Sequence, residues 1–171
     1  MQKTVYIKER AFLSIILSSI EVYRHETLGL LLGYLGVDRF VVEYGIPYQT
    51  AVKGYTWVSP KQKISDRMDR VLKYMPINVI GDFHSHTQWG NSKAKAFPSG
   101  EDIADMESNR VHIIIAVNDK EEHETWHYTE EKTIKGTLDQ YVIELGAHIL
   151  VDKYEAAPIK IICPSATGLS Y

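Results

Sequence analysis

The residues of this chain that could perform chemistry are concentrated in two short segments. His84 and His86 stand one residue apart at the end of the apolar run 79–83. Ser99 and Asp102 stand three residues apart further along, where a helix is expected to begin. Two imidazoles and one carboxylate are sufficient to hold a catalytic zinc ion that keeps one position open for water. If these side chains converge, the chain is a hydrolase.

Each of these motifs also has a purely structural explanation. Histidines one residue apart point to the same face of an extended strand, but in a chain with 7 histidines such a pair can arise by chance. Ser99 followed by an acid three residues later is also close to a helix-capping box, and a capped first turn would hold Asp102 rigidly. Glu26, just ahead of the apolar run 28–35, is either a solvated acid in a turn or a general base.

Hydrophobic periodicity predicts the elements that must position these residues. Strands are expected at residues 4–7, 28–35, 39–48, 78–83, 111–117, 123–129 and 159–163, and helices at 9–23 and 62–74. We interpret segment 138–150 as a helix that runs into a strand. The sequence therefore predicts a single-domain α/β fold, a mixed β-sheet flanked by helices, over residues 1–163, followed by a loose tail at 164–171.

Composition argues against several classes of function. The 171 residues are 44% hydrophobic, enough for one domain with a full core. A net charge of -3 gives no support for nucleic-acid binding. No apolar run approaches a membrane span, and no signal-peptide pattern is present. The single cysteine, Cys163, excludes an internal disulfide or a multi-thiolate metal site and favours a reducing, cytoplasmic compartment.

Taken together, the motifs resemble the JAMM metalloprotease family, also called the MPN-plus or Mov34/MPN/PAD-1 domain. The family pattern is a glutamate ahead of a glycine-containing apolar strand, then His-x-His, then Ser-x-x-Asp. This chain has Glu26 before Leu28-Gly29-Leu30, then His84-Ser85-His86, then Ser99-Gly100-Glu101-Asp102. The resemblance extends from about residue 5 to residue 119 and implies the MPN/JAB architecture, which is similar to that of cytidine deaminases.

The spacing departs from the family pattern at one place. Twelve residues, 87–98, separate His86 from Ser99, where the family has about seven. Strict spacing would put the serine at Ala94 and the acid at Phe97, which could fill neither role. We therefore interpret the loop as carrying a five-residue insertion, with Asp105 as a fallback ligand one helical turn beyond Asp102. The inserted loop is either a contact surface for the substrate or a solvated flap.

Residue by residue, the resemblance implies a zinc protease site. His84, His86 and Asp102 would hold Zn²⁺ with a water in the fourth position. Glu26 would act as general base and then as general acid, and Ser99 would donate a hydrogen bond to the oxyanion of the tetrahedral intermediate. The implied substrates are peptide or isopeptide bonds at the C-terminal tail of ubiquitin-like proteins, as in a deubiquitinase. A small stand-alone domain favours a prokaryotic protein that acts on a ubiquitin-like or sulfur-carrier protein.

Two other functions compete with the protease. A non-catalytic MPN-type scaffold would keep the fold as an interaction module, although such modules usually lack a ligand and none is missing here. A nucleobase deaminase would use His-x-Glu with Pro-Cys-x-x-Cys, which this chain does not have. Asp82 is either a support for a ligand or an ordinary hydrogen-bonded acid. The other histidines beyond residue 100 are interpreted as packing or surface residues: His112, His123, His127 and His148.

Overall fold

A mixed β-sheet of ten strands is the centre of the described part of the chain. A computed structural model describes residues 3–50, 52–53, 58–59 and 62–168. The strands are β1 (Thr4–Ile7), β2 (Leu28–Leu35), β3 (Arg39–Pro47), β4 (Val52–Lys53), β5 (Val58–Ser59), β6 (Asn78–Thr87), β7 (Val111–Asp119), β8 (His127–Tyr128), β9 (Ile134–Leu138), β10 (Tyr141–Asp152), β11 (Glu155–Pro158) and β12 (Lys160–Ile162). The helices are α1 (Glu9–Glu21), α2 (Gln62–Leu72), α3 (Gly100–Asp105) and α4 (Pro164–Thr167).

The strand order places the longest apolar strands at the centre. The order is β12-β1-β3-β2-β6-β7-β10-β9-β8, with β11 paired to β10. β6 and β7 run parallel, as do β1 and each of its neighbours, whereas β2 pairs antiparallel with both β3 and β6. The small hairpin of β4 and β5 forms a separate sheet. The expected mixed sheet is confirmed.

Helix α1 covers one face of this sheet. Its apolar side contributes Phe12, Ile15 and Ile16 to the main core, which also includes Phe83 on β6. The helix approaches β3 closely, because Gly45 lacks a side chain where a Cβ atom would lie 2.7 Å from Ile15 Cγ1. None of the helices in the described residues is long and apolar enough to cross a membrane.

The opposite face is covered in two parts. Met68 and Leu72 of α2 pack on a smaller cluster formed by Leu30, Leu32 and Tyr48. The segment 88–98 lies over the neighbouring strands, as its contacts with β7 and β10 show, and α3 contacts β6. The chemical residues singled out above lie on this second face.

Three expectations need correction. Segment 138–150 contains no helix, because residues 141–152 form β10, which is preceded by the unexpected strand β9. Glu144, Gly146 and His148 alternate with apolar core residues along β10, which is the period of a strand and not of a helix. Only residues 127–128 of the expected strand 123–129 are extended. The expected loose tail begins with α4, whose Ala166 is fully buried in the main core, while residues 169–171 lie outside the described residues.

Candidate metal centre

Two of the expected ligands lie on β6 itself. β6 extends to Thr87, four residues beyond its expected end, because it pairs with β7 as far as Thr87 and Val117. His84 pairs with Leu28 of β2 on one side and with Ile114 of β7 on the other. His84 and His86 point to the same face, as residues two apart on a strand must. Their Nε2 atoms are 3.1 Å apart.

The third expected ligand comes from the first turn of α3. Ser99 caps this helix: its Oγ accepts a hydrogen bond from the Asp102 amide, and the Asp102 carboxylate accepts one from the Ser99 amide. This is the capping box expected from the sequence. The same carboxylate reaches the histidines, with Oδ1 3.3 Å from His84 Nε2 and Oδ2 3.3 Å from His86 Nε2. The long loop therefore does bring Asp102 to the histidines.

The donor set fits a zinc ion. Zn²⁺ bound tetrahedrally at about 2.0–2.1 Å requires donor atoms about 3.3 Å apart. The separations here are 3.1 Å and 3.3 Å. His86 Nδ1 lies 2.9 Å from the carbonyl oxygen of Lys95, which can only accept, so Nδ1 carries the proton and Nε2 is left with its lone pair. Among the described residues, His84, His86 and Asp102 form the one cluster of three that could hold a metal ion.

The electrostatics of the three ligands are strongly coupled. Burial favours the neutral form of Asp102, but hydrogen bonds to His84 and His86 and the charge of His84 outweigh burial and hold the pKa of Asp102 far below its usual range. Burial likewise opposes protonation of His86, yet its hydrogen bonds to Asp102 and Lys95 raise its pKa. Asp102 is therefore ionised at neutral pH, as a metal-ligating carboxylate must be.

Glu26 lies at the edge of this cluster, in the turn between α1 and β2. Burial raises the pKa of Glu26, and the charges of His86 and His84 partly offset that increase. A carboxyl group with a raised pKa beside a metal-binding cluster has the properties of a general base. Glu26 also has a fixed relation to the histidines, because the buried Ser85 Oγ accepts a hydrogen bond from the Thr27 amide at 2.9 Å.

Two residues considered as accessories have other partners. Asp82 does not contact a ligand histidine: its Oδ2 lies 2.9 Å from Nδ1 of His112, whose Nε2 lies 3.2 Å from the carbonyl oxygen of Glu107. Asp82 is therefore a hydrogen-bonded acid that holds a buried histidine. Asp105, the fallback ligand, is exposed and is not in the metal-binding cluster.

The contacts that hold the loop before α3 are not indicated by any motif in the sequence. Phe97 packs edge-on against His148, with 5.5 Å between the ring centroids. His148 is 1% exposed, neither of its ring nitrogens has a hydrogen-bond partner, and burial lowers its pKa to about 4. The Asn118 side chain bonds the backbone of Ala94. A histidine inside an apolar strand was visible in the sequence, but no local pattern indicated its partner 51 residues earlier.

Comparisons with known proteins agree with this architecture. A family model described as prokaryotic homologs of the JAB domain matches residues 8–129, and the residues of the centre all fall within that range. No curated protein sequence matches the chain. The fold is similar to the solution structure of protein DSY2949 from Desulfitobacterium hafniense, with a TM-score of 0.65 over 93% of this chain and 92% of that one. The two are 17% identical, so this likeness concerns the fold alone.

Proposed function

This chain belongs to the family of prokaryotic JAB-domain homologues, and from that premise we propose that it is a zinc-dependent metallopeptidase of the JAMM type. The observation that carries the proposal is the convergence of Asp102 on His84 and His86 at separations that suit one tetrahedral ion. All five residues of the family pattern are present, and the three that would bind metal are in contact.

Each residue of the centre would have a distinct role. His84, His86 and Asp102 would hold Zn²⁺, which when bound supplies Lewis-acid polarisation of a carbonyl and a more acidic water. Glu26, with its raised pKa, would accept the proton of the attacking water and deliver it to the leaving amine. Ser99 Oγ accepts from the Asp102 amide, which leaves its own proton free to be donated to the developing oxyanion.

We propose the C-terminal tail of a ubiquitin-like or sulfur-carrier protein as the substrate, cleaved at a peptide or isopeptide bond. The shape of β6 supports an extended substrate. The pairing of β2 with β6 ends at His84, while β7 continues along the other side to Thr87. The β2 side of residues 86–87 could therefore take an added strand beside the metal centre.

The compartment we propose is the reducing cytoplasm. Cys163 is fully buried, and burial raises the pKa of its thiol to about 11. A buried thiol with a raised pKa is unreactive, so it needs no disulfide partner.

The test is Glu26→Gln, with zinc content and peptidase activity measured on the same preparation. Because Glu26 is not a ligand, zinc should stay bound in near-stoichiometric amount, while cleavage of a fusion carrying a ubiquitin-like C-terminal tail should fall by about 10²–10⁴-fold. The matched control is Glu21→Gln, an exposed acid at the end of α1, which should keep full activity.

Two results would overturn the proposal. Full activity in Glu26→Gln would remove the general base from the mechanism. Purified wild-type protein that binds no zinc under replete conditions would instead favour the rival function, a non-catalytic MPN-type scaffold.

A further inference from the structure

We infer that Asn118, at the end of β7, is a positioning residue for the ligand Asp102. Its side chain holds residues 87–98, the ligand loop, against the sheet so that the Asp102 carboxylate faces the histidines. The inference rests on the proposed zinc centre and assigns a residue outside the ligand set and outside the family pattern.

Helix α3 cannot hold Asp102 in place by its own packing. It has six residues, and none of them is buried. The Ser99 cap fixes the carboxylate relative to the helix but does not attach the helix to the sheet. The position of Asp102 relative to His84 and His86 therefore depends on the residues that flank the helix: Met106, which is 8% exposed, follows it, and the ligand loop leads into it.

The side-chain amide of Asn118 forms hydrogen bonds to this segment through both its oxygen and its nitrogen. Its Oδ1 accepts a hydrogen bond from the Ala94 amide at 2.8 Å, and its Nδ2 donates one to the Ala94 carbonyl at 3.1 Å. These are the two bonds that a peptide group of a neighbouring strand would make. Since Asn118 is only 9% exposed, the pair is largely shielded from water, which would otherwise compete for it.

Every residue from Ala94 to Phe97 contacts the sheet or a side chain on it. The Lys95 carbonyl oxygen accepts a hydrogen bond from His86 Nδ1. Ala96 is fully buried, and its carbonyl lies over Gly146 of β10, where a Cβ atom would come within 2.1 Å of it. Phe97 packs on His148. Asn118 makes the first buried contact of this stretch, because the ion pair of Lys93 with Glu121 just before it is exposed to water.

The tip of the ligand loop is built separately. Trp89 and Ser92 exchange two backbone hydrogen bonds of 3.0 Å and 2.9 Å, which close a small exposed turn before the chain reaches Ala94. The extra residues of the loop can thus bulge outward at the tip at little closure cost. The Asn118 contact returns the chain to the sheet behind that bulge.

The expected effect follows from the population of the binding-competent loop. A metal ion that needs Asp102 in place binds with an affinity reduced by the fraction of molecules in which Asp102 is in place. If loss of the Asn118 contacts lowers this fraction to about 1–10%, the dissociation constant for zinc rises by about 10–100-fold. Outer-shell partners of metal ligands typically have effects of that size.

The experiment measures zinc affinity by chelator competition in wild type, Asn118→Ala and Asn118→Asp, with folding checked by circular dichroism. Asn118→Ala removes both contacts, and Asn118→Asp keeps an acceptor for the Ala94 amide but sets oxygen against the Ala94 carbonyl. Both should weaken zinc binding by about 10–100-fold and alter the visible spectrum of the Co²⁺ form. Asn91→Ala, at the exposed tip of the same loop, should bind zinc as wild type does.

Amide hydrogen exchange without metal supplies a second measurement. The Asp102 amide is bonded to Ser99 and not to Asn118. If the Asn118–Ala94 hydrogen bonds position the whole of α3, this amide should exchange at least about tenfold faster in Asn118→Ala. Folded variants with wild-type zinc affinity would overturn the inference. If wild type binds no zinc, the proposed function is wrong. In that case the exchange rate of the Asp102 amide still tests the positioning role, and an unchanged rate in Asn118→Ala would overturn it.

Discussion

The two halves of the metal centre are positioned by different physical means. His84 and His86 lie on β6, which is paired with β7 beyond both residues and with β2 as far as His84, so their location is set by backbone hydrogen bonds that do not depend on side-chain identity. Asp102 lies on a helix without a buried residue, at the end of a loop held by side-chain contacts. A substitution far from the metal should therefore displace Asp102, the carboxylate half, much more readily than His84 and His86, the histidine half.

The largest expected effect separates the two functions of Asp102. In Asp102→Asn the side-chain oxygen can still accept from the Ser99 amide, so the cap survives, but the anionic ligand is lost. Zinc affinity should fall by more than the roughly 10–100-fold typical of an outer-shell partner. The unfolding free energy of the chelator-treated protein should also fall at neutral pH, because the lowered pKa of Asp102 means that its charge stabilises the folded state. Glu101→Gln, the exposed acid beside it, is the control and should change neither quantity. Unchanged zinc affinity in Asp102→Asn would show that the carboxylate is not a ligand.

The next largest effect is a pH-dependent change in stability that is due to His148, the residue on which Phe97 packs. Burial, with the charges of His112, His84 and His86, lowers the pKa of His148 in the folded protein to about 4, whereas an unfolded histidine has a pKa of about 6.5. As the pH falls from about 6.5 to about 4, His148 becomes protonated in the unfolded chain but stays neutral in the folded chain. The free energy of unfolding therefore falls by roughly 3 kcal/mol. Above pH 6.5 both states are neutral, and the loss disappears.

Denaturant titrations of wild type and His148→Leu between pH 7.5 and 4.5, with chelator present, test this linkage. The stability of His148→Leu relative to wild type should rise steadily as the pH falls below 6.5. The exposed histidine variant His127→Leu should show a much smaller pH-dependent difference. A constant difference for His148→Leu across the whole range would contradict the prediction.

The smallest effects compare the two serines of the centre. Ser85→Ala leaves the buried Thr27 amide without its partner, which should cost about 1–3 kcal/mol of unfolding free energy. Ser99→Ala removes an exposed helix cap and should cost about 1 kcal/mol. The free energies of unfolding are measured by chemical denaturation without metal. Equal losses in the two variants would mean that the histidine half is no more tightly held than the carboxylate half.

The histidine half could be predicted from the sequence because its signals are local. The spacing of His84 and His86 already predicts both imidazoles on one face of an extended strand, although the strand was expected to end at residue 83. The capping box of Ser99 and Asp102 is local too, and the structure has it as expected. These signals also favoured the mixed sheet and the family, which the family match confirms.

The attachment of the carboxylate half could not be predicted, because its determinants are distant in sequence. Asn118 is 24 residues from Ala94, and His148 lies on a strand that we expected to begin as a helix. One face of β10 packs in the main core, while the other supports the ligand loop. Glu144 and His148 on the second face alternate with the core residues, but this pattern does not show which distant segment the second face packs against.

The Ser85–Thr27 hydrogen bond has a consequence for how relatives of this chain can vary. It fixes the register of β2 against β6, and a slip of one residue in that pairing would turn both histidines into the α1 core and bring Phe83 and Ser85 to the metal side. Insertions between residue 27 and residue 85 must therefore preserve this pairing. Between His86 and Ala94 the chain can lengthen or shorten at an exposed turn. Differences in length among relatives should accumulate at that turn, where a substrate would meet them first.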